Sequence, residues 1–183
     1  MGWVRGVASM LVASSVLALA PGQAAVGDGT QRAGAAREPP GEEPCPDRRY
    51  DPVLVRRGSR GADRIRGGRE GELVLAGAGA DRVLADGGSD CVDGGPGRDR
   101  LSGGSGDDVL AGGSGDDVLS GDSGDDVLVG GSGADAVSGG AGDDLLIAGP
   151  GHDRLDCGRG RRDVARIERG DRVRRCERIV RAG

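Results

Sequence analysis

Phenylalanine and lysine are missing from this chain, and its only tryptophan and tyrosine are Trp3 and Tyr50. Aromatic side chains supply much of the buried area of an ordinary globular core, so a core of that kind is excluded. With His152 as the sole histidine, no histidine cluster can hold a metal or relay protons. Cys45, Cys91, Cys157 and Cys176 never fall at C-x-x-C spacing, which argues against zinc and dithiol redox chemistry. Threonine occurs only at Thr30, so no threonine ladder of the ice-binding kind exists. A continuous apolar run appears only near the start, from Val7 to Ala20. Glycine is abundant instead, 39 of 183 residues, alongside 30 acidic residues and 25 basic ones, all arginine. Such a composition, with much glycine to order at high entropic cost, would by itself predict disorder.

The order of the residues argues the opposite. Gly103 to Ser120 reads GGSGDDVLA then GGSGDDVLS, and this nine-residue frame runs without insertion or deletion from Gly58 to Asp156. Its sixth slot is acidic in all eleven units: Asp63, Glu72, Asp81, Asp90, Asp99, Asp108, Asp117, Asp126, Asp135, Asp144 and Asp153. Its eighth slot is aliphatic throughout: Ile65, Val74, Val83, Val92, Leu101, Leu110, Leu119, Leu128, Val137, Leu146 and Leu155. Repeats of this kind bury one thin continuous core by stacking. Glycine in slots one, two and four suits tight turns, and the last three residues of each unit have the character of a very short strand. Two units then make one coil of 18 residues, and equivalent slots stack 18 apart. The acids fall into two columns, Asp63, Asp81, Asp99, Asp117, Asp135 and Asp153 along one edge and Glu72, Asp90, Asp108, Asp126 and Asp144 along the other.

Coils of a β-solenoid lie about 4.8 Å apart, and carboxylates stacked at that distance repel. A hard divalent cation between turns reverses the sign. Calcium takes six to eight oxygens from carboxylates and carbonyls, whereas magnesium's tighter octahedron suits glycine-rich turns less. The charge pattern agrees: Ser102 to Ile147 holds ten aspartates and no basic residue. If each site has a dissociation constant of about 10⁻⁴ M with calcium at about 1 mM, each contributes about 1.4 kcal/mol to folding, so the array is expected to fold with calcium and unfold without it.

The units starting at Gly94, Gly103, Gly112, Gly130 and Gly139 match G-G-x-G-x-D-x-U-x in every fixed slot, and those at Gly58, Ala76, Gly121 and Ala148 miss one glycine. In this the chain resembles the RTX family of hemolysin-type calcium-binding repeat proteins. The resemblance implies an all-β, right-handed parallel β-roll, with multiple Ca2+ ions held in the turns by sixth-slot aspartates and main-chain carbonyls. The metal-binding candidates are Asp63, Asp81, Asp90, Asp99, Asp108, Asp117, Asp126, Asp135, Asp144 and Asp153. Units at Gly67 and Ala85 depart furthest, and Glu72 offers a longer arm that is poorly matched to the frame. Fifth-slot Asp107, Asp116, Asp125 and Asp143 are expected to face water.

Outside the array, residues 1–25 read as a secretory signal peptide, residues 26–57 as a flexible leader ending in an N-terminal cap around Tyr50, Val53, Leu54 and Val55, and residues 157–183 as a C-terminal cap rich in arginine. In that tail Arg162 takes the next sixth slot, while Val164 and Val173 fall in eighth slots and Asp171 in a sixth. The expected location is extracellular. The four cysteines allow three pairings; Cys157 with Cys176 would clamp the cap and Cys45 with Cys91 would tie the leader to a coil, with free buried thiols as the alternative. Strand positions beside the core slot make one outer face apolar (Leu73, Leu75, Val109, Ala111, Val127, Val129, Leu145, Ile147) and the other mostly polar (Arg64, Arg66, Arg82, Arg100, Ser102, Ser120, Ser138). The apolar face is expected to be partly covered by the chain itself or to meet a protein or cell-surface partner. Asp122-Ser123-Gly124 resembles a nucleophile loop, but His152 lies in a distant repeat turn and no triad is in view. About 30 residues on either side of the array are too few for a catalytic domain. The expectation is therefore a monomeric, non-enzymatic calcium-binding protein without a nucleic-acid partner, or alternatively an extracellular adhesion module using the flat sheet face.

Overall fold

Nine-residue periodicity becomes an 18-residue coil in the computed structural model, which describes residues 55–182. The described residues form fifteen strands: β1 (Val55–Arg57), β2 (Arg64–Gly68), β3 (Leu73–Leu75), β4 (Arg82–Asp86), β5 (Cys91–Asp93), β6 (Arg100–Ser105), β7 (Val109–Ser114), β8 (Val118–Ser123), β9 (Val127–Ser132), β10 (Ala136–Ala141), β11 (Leu145–Ile147), β12 (Arg154–Arg159), β13 (Val164–Ile167), β14 (Arg172–Arg174) and β15 (Arg178–Arg181). The odd-numbered strands stack in order into one parallel sheet of eight, and the even-numbered ones into a parallel sheet of seven. The fold is thus a parallel β-solenoid of about seven turns, with no helix among the described residues. Register follows the repeat, with Val92 opposite Leu110 and Leu110 opposite Leu128 in one sheet, and Val83 opposite Leu101 in the other.

Eighth-slot side chains point inward from both sheets and form the core: Val74, Val83, Val92, Leu101, Leu110, Leu119, Leu128, Val137, Leu146 and Leu155 are all buried. First-slot residues also face inward, and there the chain is glycine, alanine or cysteine. Slots two and four carry the turns. Gly104 and Gly106 have φ of +113° and +121°, values that residues with a Cβ rarely adopt, and a Cβ on Gly106 would collide with the Gly88 carbonyl of the preceding coil. Slot two is aspartate in two units, Asp86 and Asp122 at φ +73° and +74°, and Ser59 in the first. Asp122 is held by hydrogen bonds from the Ser102 and Ser120 hydroxyls (2.6 and 2.7 Å), and Asp86 by the Arg66 guanidinium (2.8 Å). Ser123 donates to the Gly104 carbonyl and His152 is exposed, so the string at 122–124 is an ordinary turn of the repeat.

Strands continue beyond the regular array. Strict nine-residue counting puts Val164 in the core, but Val164 lies opposite Leu145 while Ala165 lies opposite Leu146 and is fully buried. One extra residue in the 157–163 turn causes the shift, and the strand register recovers immediately after it. Val173 does take the core position, opposite Leu155. Cys157 and Cys176 are disulfide-bonded, with Cα atoms 5.1 Å apart. Cys91 is also disulfide-bonded and fully buried although it sits on an outer sheet face; its expected partner Cys45 lies outside the described residues, as do the expected signal peptide and most of the leader. Val55 itself pairs with Leu73 and extends the eight-stranded sheet. The outer face of that sheet carries the half-buried Leu73, Leu75, Val109, Val127, Val129, Leu145 and Ile147, whereas Arg64, Arg82 and Arg100 stand exposed in register on the other.

Candidate metal centre

The turn that ends in each sixth-slot acid points that side chain into the solenoid, beside the core slot. The stacking of coils then links every acid to its neighbours. Along one edge the backbone N–H of Asp63 donates to Asp81 Oδ1 (2.7 Å), that of Asp81 to Asp99 (2.8 Å), Asp99 to Asp117 (2.8 Å), Asp117 to Asp135 (2.9 Å) and Asp135 to Asp153 (2.8 Å). Along the other, Glu72 donates to Asp90 (2.7 Å), Asp90 to Asp108 (2.7 Å), Asp108 to Asp126 (2.9 Å) and Asp126 to Asp144 (3.0 Å). Both expected columns therefore exist, and all their members except half-buried Asp63 are buried.

One carboxylate oxygen is thus accounted for in each acid from Asp81 and Asp90 onward. The other is not: Oδ2 of Asp81, Asp99, Asp108, Asp117, Asp126, Asp135, Asp144 and Asp153 is buried without a hydrogen-bond partner. A buried charged oxygen without a partner is costly, and its repetition along two columns marks a place built for something else. The first-slot glycines show where. A Cβ on Gly94 would lie 2.7 Å from Asp99 Oδ2 and 2.6 Å from the Gly112 carbonyl oxygen; on Gly130 it would lie 2.6 Å from both Asp135 Oδ2 and the Ala148 carbonyl oxygen. Gly103 and Gly112 likewise clear the space around Asp108 and Asp117 Oδ2, and Gly121 and Gly139 that around Asp126 and Asp144. In each case an unpartnered carboxylate oxygen sits where only glycine leaves room, and at Gly94, Gly112, Gly121, Gly130 and Gly139 a main-chain carbonyl of the next coil lies beside it. At Asp81, Asp90 and Asp153 the first slot is Ala76, Ala85 and Ala148, each buried, so a methyl group stands where the other units have none.

Electrostatics point the same way. Burial raises the carboxyls of Asp108, Asp117, Asp144 and Asp153 to about 6, Asp90 to about 7 and Asp126 to about 8, against the lowering effect of the backbone hydrogen bond each accepts and with further upward pressure from neighbouring carboxylates. Asp99 and Asp135 are raised for the same leading reason. Ionised together near neutral pH, these groups require countercharge. Among the described residues no three His, Cys, Asp or Glu side chains converge on one point, so a cation here would draw its shell from carboxylates of successive coils together with the carbonyls of the glycine turns. That oxygen-only donor set suits calcium.

The N-terminal members differ. Asp63 Oδ2 accepts from the Ser59 N–H and hydroxyl (2.6 and 2.8 Å). Glu72 accepts from the Arg56 guanidinium (3.0 Å) and the Gly68 N–H (3.1 Å). Protein groups already occupy both carboxylates. Fifth-slot aspartates face water as expected, Asp143 from a half-buried position, yet they form a ladder of their own. Asp107 Oδ1 accepts the Asp125 N–H (2.9 Å), Asp125 that of Asp143 (2.8 Å), and Asp116 that of Ala134 (3.1 Å). Sequence counting also passed over Asp163 and Glu177: Asp144 N–H donates to Asp163 Oδ1 (2.9 Å), and Asp163 N–H to Glu177 Oε2 (3.0 Å). The available signal was Asp-Val-Ala at 163–165, the frame displaced by one residue. Asp171 continues the first column, accepting the Asp153 N–H at 3.0 Å.

A family model of the RTX calcium-binding nonapeptide repeat matches the chain in four overlapping copies, at residues 70–101, 93–128, 102–137 and 129–162. No curated protein matches the chain significantly.

Proposed function

The chain belongs to the RTX calcium-binding nonapeptide repeat family, and on that premise we propose that it is a secreted calcium-binding β-roll whose array folds when Ca2+ fills its turns. The observation that carries the reading is the row of buried, unpartnered Oδ2 atoms, six of which (Asp99, Asp108, Asp117, Asp126, Asp135 and Asp144) lie against a first-slot glycine. The proposed ligands are led by Asp99, Asp108, Asp117, Asp126, Asp135 and Asp144, whose hollows are open, together with neighbouring carbonyls. Asp81, Asp90 and Asp153 stand behind them because a methyl group narrows the site. Asp63 serves as the satisfied end of its column. Bound calcium would supply the positive charge that the columns lack; the chain supplies oxygens, their spacing and a dry environment.

At about 1.4 kcal/mol per site under the millimolar calcium of an extracellular setting, six open sites give on the order of 8 kcal/mol, comparable with the whole stability of a domain. Far-UV circular dichroism of the oxidised protein, titrated with calcium from a chelated start and repeated with magnesium, tests this. A cooperative gain of β signal with calcium alone is expected. A β-rich spectrum under chelator that calcium leaves unchanged would remove the metal from the folding reaction and leave the adhesive use of the flat face as the better reading.

A further inference from the structure

Beyond the nonapeptide frame, the second acidic column runs on through the terminal coil. Asp163 is fully buried, its Oδ1 accepts the Asp144 N–H (2.9 Å), and its Oδ2 is buried without a partner. It reproduces the state of the array aspartates, although Arg161 and Arg162 fill the turn before it and the family match ends at residue 162. The next coil is short. Only 14 residues separate Asp163 from the next acid of its column, against 18 within the array, and the group that arrives is a glutamate, Glu177, whose Oε2 accepts the Asp163 N–H (3.0 Å). Two carboxylates from successive coils thus meet at the end of the solenoid. Burial and the Glu177 carboxylate both push the Asp163 carboxyl upward.

The disulfide stands at this point. Cys157 opens the turn that leads to Asp163, and Cys176 immediately precedes Glu177. The bond fixes the residue before Glu177 to the coil that carries Asp163. Glu177 is otherwise exposed, at the start of the exposed strand β15.

We infer that Asp163 and Glu177 form an additional calcium site in the terminal coil, outside the glycine-rich repeats, and that the Cys157–Cys176 disulfide assembles it. The inference rests on the proposed calcium reading of the array. Two carboxylates fall short of the six to eight oxygens calcium takes, so main-chain carbonyls and water complete the shell. A longer glutamate arm compensates for the shortened coil, and the disulfide makes the site sensitive to oxidation state.

The test is calcium binding to the full oxidised chain by isothermal titration calorimetry, with wild type, Glu177→Gln and a Cys157→Ala/Cys176→Ala double variant. Glu177→Gln keeps an acceptor for the Asp163 N–H and removes only the charge. Each variant is expected to bind one calcium ion fewer than wild type or to bind that ion at least tenfold more weakly, with the remaining isotherm retained. A stoichiometry and affinity equal to wild type in Glu177→Gln overturns the site, and equality in the cysteine variant overturns the role of the disulfide. Carbodiimide-coupled labelling of the wild-type protein needs no substitution: calcium, and not magnesium, is expected to protect Glu177. Full labelling at saturating calcium overturns the inference even if a variant fails to fold. A wild-type chain that binds no calcium at all overturns the array reading instead, so the two failures are distinct.

Discussion

The glycine-cleared middle of the solenoid and its C-terminal coils handle the same electrostatic problem in different ways. Between β6 and β11 the acids stack with no basic residue from Ser102 to Ile147, and the second oxygen of each sixth-slot aspartate there has no protein partner. In the coils of β12 to β14 the column acids Asp153 and Asp163 keep that state, but ninth-slot Asp156 is neutralised by arginine: it accepts from Arg175 Nε (2.6 Å) and Nη2 (2.5 Å) and pairs with Arg174 (2.8 Å). These bonds, led by the one from Arg175, hold its carboxyl below the ordinary range. A covalent bond then closes the same coils. One fold can therefore leave a charge without a protein partner or settle it internally, and the choice is written in where arginine is allowed.

The sharpest way to separate the two regions is hydrogen exchange with and without calcium. Chelation is expected to accelerate exchange of β6 to β11 amides by orders of magnitude, and that of the disulfide-closed β12 to β14 amides by less. Uniform acceleration of both would erase the distinction. Protons offer a weaker substitute for the metal. A carboxyl whose folded pKa lies above its unfolded value favours folding below the unfolded value, and that contribution is lost as pH rises through the folded one. For Asp108, Asp117, Asp126 and Asp144 this window runs from the ordinary aspartate range to about 6 to 8. Metal-stripped protein is accordingly expected to hold more β signal by circular dichroism at pH 5 than at pH 8, while saturating calcium reverses the preference.

Exchanging the first-slot residues tests the hollows directly. Gly130→Ala puts a Cβ 2.6 Å from Asp135 Oδ2 and from the Ala148 carbonyl. It is expected to cost about 2 kcal/mol in calcium-saturated melts and to weaken the adjoining ion. Ala148→Gly opens the hollow beside Asp153 and is expected to strengthen calcium binding there, seen as a steeper early phase of the calorimetric isotherm. Equal effects of opposite sign would tie affinity to the missing methyl group. The smallest expected effect belongs to the arginine-neutralised coils: Asp156→Asn should cost about 1 kcal/mol and lower the melting temperature by the same amount with calcium or chelator present.

How much of this the residues announce depends on whether spacing alone determines the outcome. The eighth-slot core from Val74 to Leu155, the coil of 18 and the two acidic columns follow from periodicity, because a strand's inward position and a turn's glycine requirement are local properties repeated in register. The terminal coil does not follow. A single inserted residue at 161–162 is absorbed within one turn, so Ala165 takes the place that counting assigns to Val164, and Asp163 the place assigned to Arg162. Glu177 is hidden further, since side-chain length makes up for missing backbone. Arg56 on Glu72 and Ser59 on Asp63 are invisible for another reason: contacts across 16 residues, or around a single loop, are set by the coil's closure and leave no periodic trace.

The acid ladder also has a direction. Every sixth-slot N–H in the array is satisfied by the carboxylate of the following coil, never of the preceding one. Chain order and structural dependence therefore run opposite ways. A ribosome delivers the dependent coil before the one it leans on, so each sixth-slot amide waits for the next coil, and the Asp163 amide waits in turn for Glu177. Along these two columns order is inherited backwards, from later coils to earlier ones, while the fifth-slot ladder passes it forwards.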